Sequence, residues 1–219
     1  MRRKPVIAID GPSGVGKSTV AKKVAKRLGF FYVDTGALYR SVAWLASREK
    51  VSWDDGPQLA VLARAHGFSY SETGELQVDG APVGLKIRTP EISRGASAVA
   101  RHAEVRLALL DVQRDIGNEG GVVLEGRDIG TTVFPDAEEK FFLGASSRVR
   151  AERRFRELRS QGVNVSLDDV ENEQRGRDEN DKNREVSPLV KADDAVEISC
   201  DTLTADEVAD LLISQLSTH

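Results

Sequence analysis

A single cysteine, Cys200, in 219 residues leaves no internal disulfide to form. It closes the apolar run from Val196 to Ser199 and reads as a buried thiol at a strand end, not a reactive one. The three histidines, His66, His102 and His219, are scattered and match no ligand spacing, which excludes a Cys/His zinc site. No window approaches 18 consecutive apolar residues, so a membrane-spanning helix is excluded. Arg2, Arg3 and Lys4 precede only the short apolar stretch Val6 to Ile9, too little for a signal peptide, and the expected compartment is the reducing cytoplasm. An excess of positive charge is missing too: 31 Lys and Arg stand against 35 Asp and Glu, a net charge of −4. With a pI near 5.5 the chain has no overall attraction to polyanions, so neither nucleic acid nor a membrane surface is an expected partner. Aromatics are only 5%, while 30% charged and 40% hydrophobic residues suit a soluble α/β protein and argue against disorder. The length fits one domain, 1–219, carrying a small insert, and a monomer is expected.

Val6 to Ile9 is a short apolar run bounded by Asp10-Gly11-Pro12, the pattern of a buried parallel strand. From Lys17, Val20, Val24 and Leu28 recur at helical spacing until Gly29, placed for a left-handed C-cap. Phe30 to Val33 reads as a second strand, followed by a turn at Asp34-Thr35-Gly36 and a helix from about Ala37 to Ser47. Between Gly67 and Pro90, apolar and polar residues alternate in Phe68 to Ser71 and Leu76 to Asp79, with Gly74, Gly80 and Pro82 at turns. A small antiparallel meander does not belong inside a βαβ succession and is read as an insert on the main sheet. One stretch of helical spacing then runs from about Ser93 to Ile116, followed by strands at Val122 to Leu124 and Lys140 to Leu143. Ser146 to Glu185 holds nine arginines and little apolar material around a turn at Gln161-Gly162, which predicts a mobile, exposed helix, loop and helix. Val196 to Ser199 is a last strand, and Thr204 to Leu216 a closing helix with Val208, Leu211, Leu212 and Leu216 inward.

Gly11-Pro12-Ser13-Gly14-Val15-Gly16-Lys17-Ser18 matches G-x-x-x-x-G-K-[ST] between a strand and a helix, the context a phosphate loop requires. Its glycines let successive backbone N–H groups converge and let phosphate oxygens approach, while the helix that follows adds its positive end. Lys17 can reach the β and γ phosphates as a point charge, and the Ser18 hydroxyl is placed to ligate Mg²⁺ accompanying ATP. Thr19, next on the helix, completes the candidate ATP-binding set. Such a loop names a donor nucleotide and leaves the acceptor open.

Three further blocks narrow the choice. They are Asp34-Thr35-Gly36-Ala37-Leu38-Tyr39-Arg40, Glu125-Gly126-Arg127-Asp128-Ile129-Gly130-Thr131 and Arg177-Asp178-Glu179-Asn180-Asp181-Lys182-Asn183-Arg184. With the phosphate loop, they make the chain resemble the bacterial-type cytidylate kinases over essentially its whole length. The resemblance implies an α/β fold: a phosphate-loop kinase core with a five-stranded parallel sheet flanked by helices, an NMP-binding insert at about 67–95 and a helical lid at about 146–185. It also implies transfer of the γ-phosphoryl of ATP to CMP or dCMP, with ATP and the monophosphate as partners. Thr35 stands where that family often has serine, so the hydroxyl is kept.

The resemblance makes Arg40 a grip on the CMP phosphate, for which a guanidinium suits as a bidentate donor. Asp128 can accept from the cytosine amino group, whereas uracil would present a carbonyl oxygen to the carboxylate and be repelled. A helix N-cap is the competing role for Asp128. Arg127 is implied as a phosphate ligand, and Ser97 and Arg106 match family positions that complete the base-edge contacts. Arg177, Asp181 and Arg184 lie at i, i+4 and i+7 and share one face if helical, a spacing that by itself suits an ion-pair ladder better than a site. Through the resemblance Asp181 becomes a ribose-hydroxyl contact and both arginines become phosphate ligands. Lys17, Arg127, Arg177 and Arg184 form the expected catalytic set. Arg150, Arg153 and Arg154 gather on one helix face, with Arg154 the expected contact to ATP; Tyr39, Trp44 and Trp53 are assigned to packing. No covalent nucleophile is required, since a phosphate oxygen is already anionic and needs only alignment and neutralised charge. Another small-molecule phosphate-loop kinase, or an ATP- or GTP-binding switch, shares the loop. The arginine-rich segment and the lack of an Asn-Lys-x-Asp motif argue against the switch.

Overall fold

The computed structural model describes residues 2–160 and 162–216. Its first half runs β1 (Val6–Asp10), α1 (Lys17–Leu28), β2 (Phe31–Asp34), α2 (Thr35–Glu49), α3 (Gly56–Ala65), β3 (Phe68–Tyr70), β4 (Leu76–Val78), β5 (Ala81–Pro82) and α4 (Pro90–Val99). The second half runs α5 (Ala103–Gly117), β6 (Val122–Gly126), β7 (Glu139–Gly144), α6 (Ser147–Ser160), α7 (Leu167–Lys182), β8 (Val196–Ser199) and α8 (Ala205–Ser214).

The β1 run Val-Ile-Ala-Ile-Asp is buried at every position, as a strand covered on both faces must be. It is the middle of a five-stranded sheet in the order β2-β6-β1-β7-β8, with every pairing parallel. The expected architecture is therefore present. Helices α1 and α8 cover one face through Val20, Val24, Val208 and Leu212. On the other, Val6, Ala8, Val33 and Leu124 pack with Ile129, Val133 and Phe134, from the single π-type turn at Ile129–Val133 and the residue after it. Asp10 lies opposite Gly126 in the register, so the loops leaving β1 and β6 emerge side by side at the carboxyl edge of the sheet. That edge is where α/β folds place ligands.

Strands β3, β4 and β5 form a separate antiparallel sheet whose Leu76 and Val78 join a core shared by α2, α3, α4 and α5. The stretch read as one helix from 93 to 116 is two. Turn bonds Arg101 N–H to Ala98 O and His102 N–H to Val99 O separate α4 from α5, so that Val99 and Val105 both enter that core. Helix α3 had no counterpart in the sequence reading; its start is encoded by Asp55, whose side chain caps Gln58 N–H, with Pro57 in the first turn.

The arginine-rich segment differs from its expected exposed character. Ala151, Leu158 and Val170 pack α6 on α7, and Arg150, Gln174, Asp178 and Asp181 are buried against the rest of the molecule. Arg150, Asp178 and Asp181 can be buried there because each faces a partner of opposite charge or a backbone group, a pairing that residue spacing does not reveal. The turn expected at Gln161-Gly162 begins outside the described residues. Leu211 points outward, 37% exposed, instead of inward on α8, and Cys200 is buried at the end of β8 as expected.

Candidate active site

The loop between β1 and α1 turns on left-handed glycines. A Cβ on Gly11 would stand 2.2 Å from the Leu143 carbonyl oxygen of β7, and at Gly14, with φ of +76°, it would stand 2.3 Å from the Gln174 amide. Lys17, the first residue of α1, turns its Nζ back to donate to the Gly11 and Pro12 carbonyls, both at 2.8 Å. Burial pulls its pKa down to about 7, and the Arg127 charge acts in the same direction. Ser18 and Thr19 follow on the exposed side of the helix start, with Ser18 beside Glu125.

The α6 and α7 pair closes onto this loop. Asp178 accepts from Ser13 N–H at 3.2 Å and pairs with Arg150, which also donates to Ser13 O at 2.8 Å. Arg153 donates to the carbonyls of Val15 and Cys200. Arg154 pairs with Glu157 at 2.7 Å and makes no hydrogen bond or ion pair with the loop. Of the three arginines on that face, Arg150 and Arg153 are thus the ones the fold brings to the glycine turn.

Beside the loop lies a second basin. Arg40 on α2 pairs with Asp34 at 2.7 Å, and Asp34 also caps its own helix by accepting from Ala37 N–H. Burial raises the Asp34 carboxyl, but the Arg40 charge outweighs it and holds the group below the ordinary range. Arg127 donates through Nε to Asp181 at 2.9 Å, with Arg184 3.7 Å from the same carboxylate. Burial opposes ionisation of Asp181, yet Arg127 and then Arg184 bring its pKa below the usual carboxylate value. Arg177 and Asp181 do share a face of α7. Arg184 lies beyond the C-cap Asn183, and reaches Asp181 from the following turn instead of by helical spacing.

Arg106 on α5 meets Asp128 at 2.5 Å, both nearly buried, and its guanidinium lies 5.2 Å from the Tyr39 ring centroid. Asp128 makes no capping bond with its side chain, so the competing N-cap role is absent. Tyr39 does more than pack, since it carries a cation on its face. Trp53 does pack, donating to Ala43 O at 3.1 Å, while half-buried Trp44 lies under Arg48 and Lys86. The Thr35 hydroxyl donates to Glu125 O at 2.8 Å. Ser97 lines a cavity of about 320 Å³ between α4 and α7, together with Arg94, Arg101, Asn172, Arg177 and Asn180.

One property unites the basin. Buried guanidinium N–H groups on Arg40, Arg106, Arg177 and Arg184 have no acceptor, two of them on Arg184 alone. Unpaired buried donors are costly, so a cluster of them marks a place built for a ligand rich in acceptor oxygens. Burial lowers the Arg177 and Arg184 pKa values, with Arg127 and Arg106 respectively adding repulsion, further signs of positive charge awaiting an anion.

Residues given no role by sequence reasoning also line the site. Glu125 accepts from the Tyr32 hydroxyl at 2.9 Å, and burial followed by the Asp34 charge raises its pKa. Asp10 is buried with its pKa pushed up to about 6, chiefly by burial. Gln174 and Asp178 touch the glycine loop from α7. Only adjacency to recognised motifs could have flagged them. Among the described residues there is no cluster of three or more metal-ligating side chains and no helix long and apolar enough to cross a membrane.

The cytidylate kinase family model matches residues 7–218. The cytidylate kinase of Desulfitobacterium hafniense (strain Y51) is 44% identical over 216 residues, covering 98% of this chain and 93% of that one. That of Geobacter sp. (strain M21) is 46% identical over 210 residues, covering 94% and 90%. The bifunctional pantoate ligase/cytidylate kinase of Gloeobacter violaceus (strain ATCC 29082 / PCC 7421) is 46% identical over 219 residues, 97% of this chain and 42% of that protein. Among solved structures, an uncharacterized protein from Eubacterium ventriosum ATCC 27560 superposes with a TM-score of 0.55 at 12% identity over 99% and 100% of the two chains, a likeness of fold. With a model match across nearly the whole sequence and relatives of this identity and coverage, the chain belongs to the cytidylate kinase family.

Proposed function

We propose that the chain transfers the γ-phosphoryl of ATP to CMP and dCMP, with ATP on the glycine loop and the monophosphate in the arginine basin. The observation that carries this reading is the set of buried, unpaired guanidinium donors beside the loop. A phosphate ester supplies the acceptor oxygens that Arg40, Arg177 and Arg184 lack, and Arg127, already paired with Asp181, stands close enough to Lys17 to depress its pKa. The two phosphate-holding regions therefore adjoin.

In this arrangement Arg40, Arg127, Arg177 and Arg184 neutralise and align the acceptor phosphate, and Lys17 turns from backbone carbonyls toward the donor phosphates. Asp181, already fixed by Arg127, faces the ribose hydroxyls. Asp128, fixed by Arg106, accepts from the cytosine amino group, and Ser97 borders the acceptor cavity. The insert at about 67–95 is the acceptor-binding part and the segment at about 146–185 the lid, with Arg150 and Arg153 its loop-facing arginines. Lid closure excludes water from the donor phosphate.

Mg²⁺ fits the donor set. It takes few protein ligands and keeps waters, and the Ser18 hydroxyl at the head of α1 beside the Glu125 carboxylate suits such a site. Bound there with ATP, it would neutralise phosphate charge.

A coupled ADP-release assay over CMP, dCMP, UMP, AMP and GMP tests the reading. CMP and dCMP are expected to be the best acceptors, and a purine of equal or better rate overturns it. Asp128→Ala is expected to lower the CMP over UMP preference about tenfold while ATP affinity is kept. A collapse of ATP affinity would instead make Asp128 structural.

A further inference from the structure

Asp10 is the last residue of β1, immediately before the glycine loop, and is 5% exposed. Both oxygens of its carboxylate are engaged by backbone amides. One oxygen accepts from Ile129 N–H at 2.9 Å and the other from Gly130 N–H at 2.8 Å. These are the first two amides of the turn that follows Asp128, in the position where the opening N–H groups of a helical turn lack partners. The residue that begins such a turn ordinarily satisfies the second or third of its amides with its own side chain, and aspartate is among the preferred types for it. Asp128 occupies that starting position and makes no such bond; its carboxylate is held by Arg106.

We infer that Asp10 is a positioning residue for acceptor specificity: by capping the turn after Asp128 from a different strand, it releases the Asp128 carboxylate to face the pyrimidine.

The argument is one of competition. Two buried N–H groups need acceptors: Asp10 supplies both, and Asp128, at the start of the turn, is of a residue type that caps such amides. With Asp10 present, the demand is met by two charge-assisted bonds from a carboxylate anchored in the central strand, opposite Gly126 on one side and Phe142 on the other. Without it, the side chain in the capping position is that of Asp128. Its recruitment as a local cap would withdraw it from Arg106 and from the base. Asn at position 10 cannot substitute fully, since its amide NH₂ would confront one of the two N–H donors. The same contact links the residue before the donor loop to the turn after Arg127-Asp128, so one carboxylate sets the two nucleotide regions against each other.

The inference rests on Asp128 as the base-reading group, and the test separates the two. The ratio of kcat/KM for CMP to that for UMP, and KM for ATP, are measured for the wild type, Asp10→Asn, Asp10→Ser, Asp128→Ala, and both position-10 changes in the Asp128→Ala background. The serine variant provides a second comparison should the asparagine variant fold poorly. Each position-10 change is expected to reduce the CMP/UMP ratio about tenfold with KM for ATP changed less than about threefold, and to leave the ratio unaltered once Asp128 is absent. A merely structural role would lower both acceptors' rates alike and leave their ratio intact. Should Asp128→Ala reduce the ratio while the position-10 changes do not, or should the two effects multiply in the double variants, the inference on Asp10 fails and Asp128 stands. A wild-type ratio in Asp128→Ala overturns the reading of Asp128, and the role of Asp10 with it.

Discussion

Lys17 offers a direct test of how the glycine loop handles charge. With the lid against the loop, its ammonium group is buried and satisfied only by two carbonyls, and its pKa falls to about 7, first through burial and then through Arg127. Donor phosphates would supply the missing anion and restore a pKa near or above the usual value of about 10.4. The nucleotide complex then binds more protons than the free protein, so affinity must fall as pH rises above 7. At pH 8 a group of pKa about 7 is about 0.9 deprotonated, so binding should take up about 0.9 proton. Between pH 7 and pH 9 the same linkage weakens affinity about fiftyfold. Titration calorimetry of an imido analogue of ATP with Mg²⁺ at pH 8, in buffers of different ionisation enthalpy, counts these protons. The donor phosphates are fully ionised at that pH and release none. Lys17→Arg, whose guanidinium stays charged in both states, subtracts any contribution of the neighbouring carboxylates and is expected to bring the uptake close to zero. An uptake below about 0.3 in the wild type, or one equal in wild type and Lys17→Arg, would refute the account of a desolvated lysine recharged by its ligand.

Two structural predictions concern charge pairing and packing outside the glycine loop. Arg106 and Asp128 are both nearly buried, so Arg106→Met leaves a carboxylate without its partner and is expected to destabilise the fold by about 3 kcal/mol; Arg106→Met with Asp128→Leu should recover most of that in urea unfolding. Gly95→Ala would place a Cβ 2.6 Å from the Trp53 ring and is expected to cost about 1–3 kcal/mol of stability, measured by thermal unfolding, without changing the CMP/UMP preference.

Local chemistry explains what was legible early. The β1 strand, the glycine turn and α1 are written in contiguous residues, because a buried strand, a left-handed turn and an amphipathic helix each have their own signature. The five parallel strands were equally readable as apolar runs separated by helices. The break between α4 and α5 was not, since residues on either side keep helical spacing and only their entry into a common core requires a turn. The burial within the lid is hidden from the sequence for a related reason: parts of a segment poor in apolar residues can still be buried when its charges find partners, and those partners lie on other elements.

The sequence by itself determined the donor-loop chemistry, the family and the types of side chain available to the acceptor, because these depend on residues within a few positions of one another. Tertiary structure decided which charges meet: Arg106 with Asp128, Arg127 with Asp181, Arg150 rather than Arg154 with the loop region, and Asp10 with the amides after Asp128. Each pairing joins groups far apart along the chain, and a charge's partner, burial and proton affinity are set by distance in space, which spacing along the backbone does not encode.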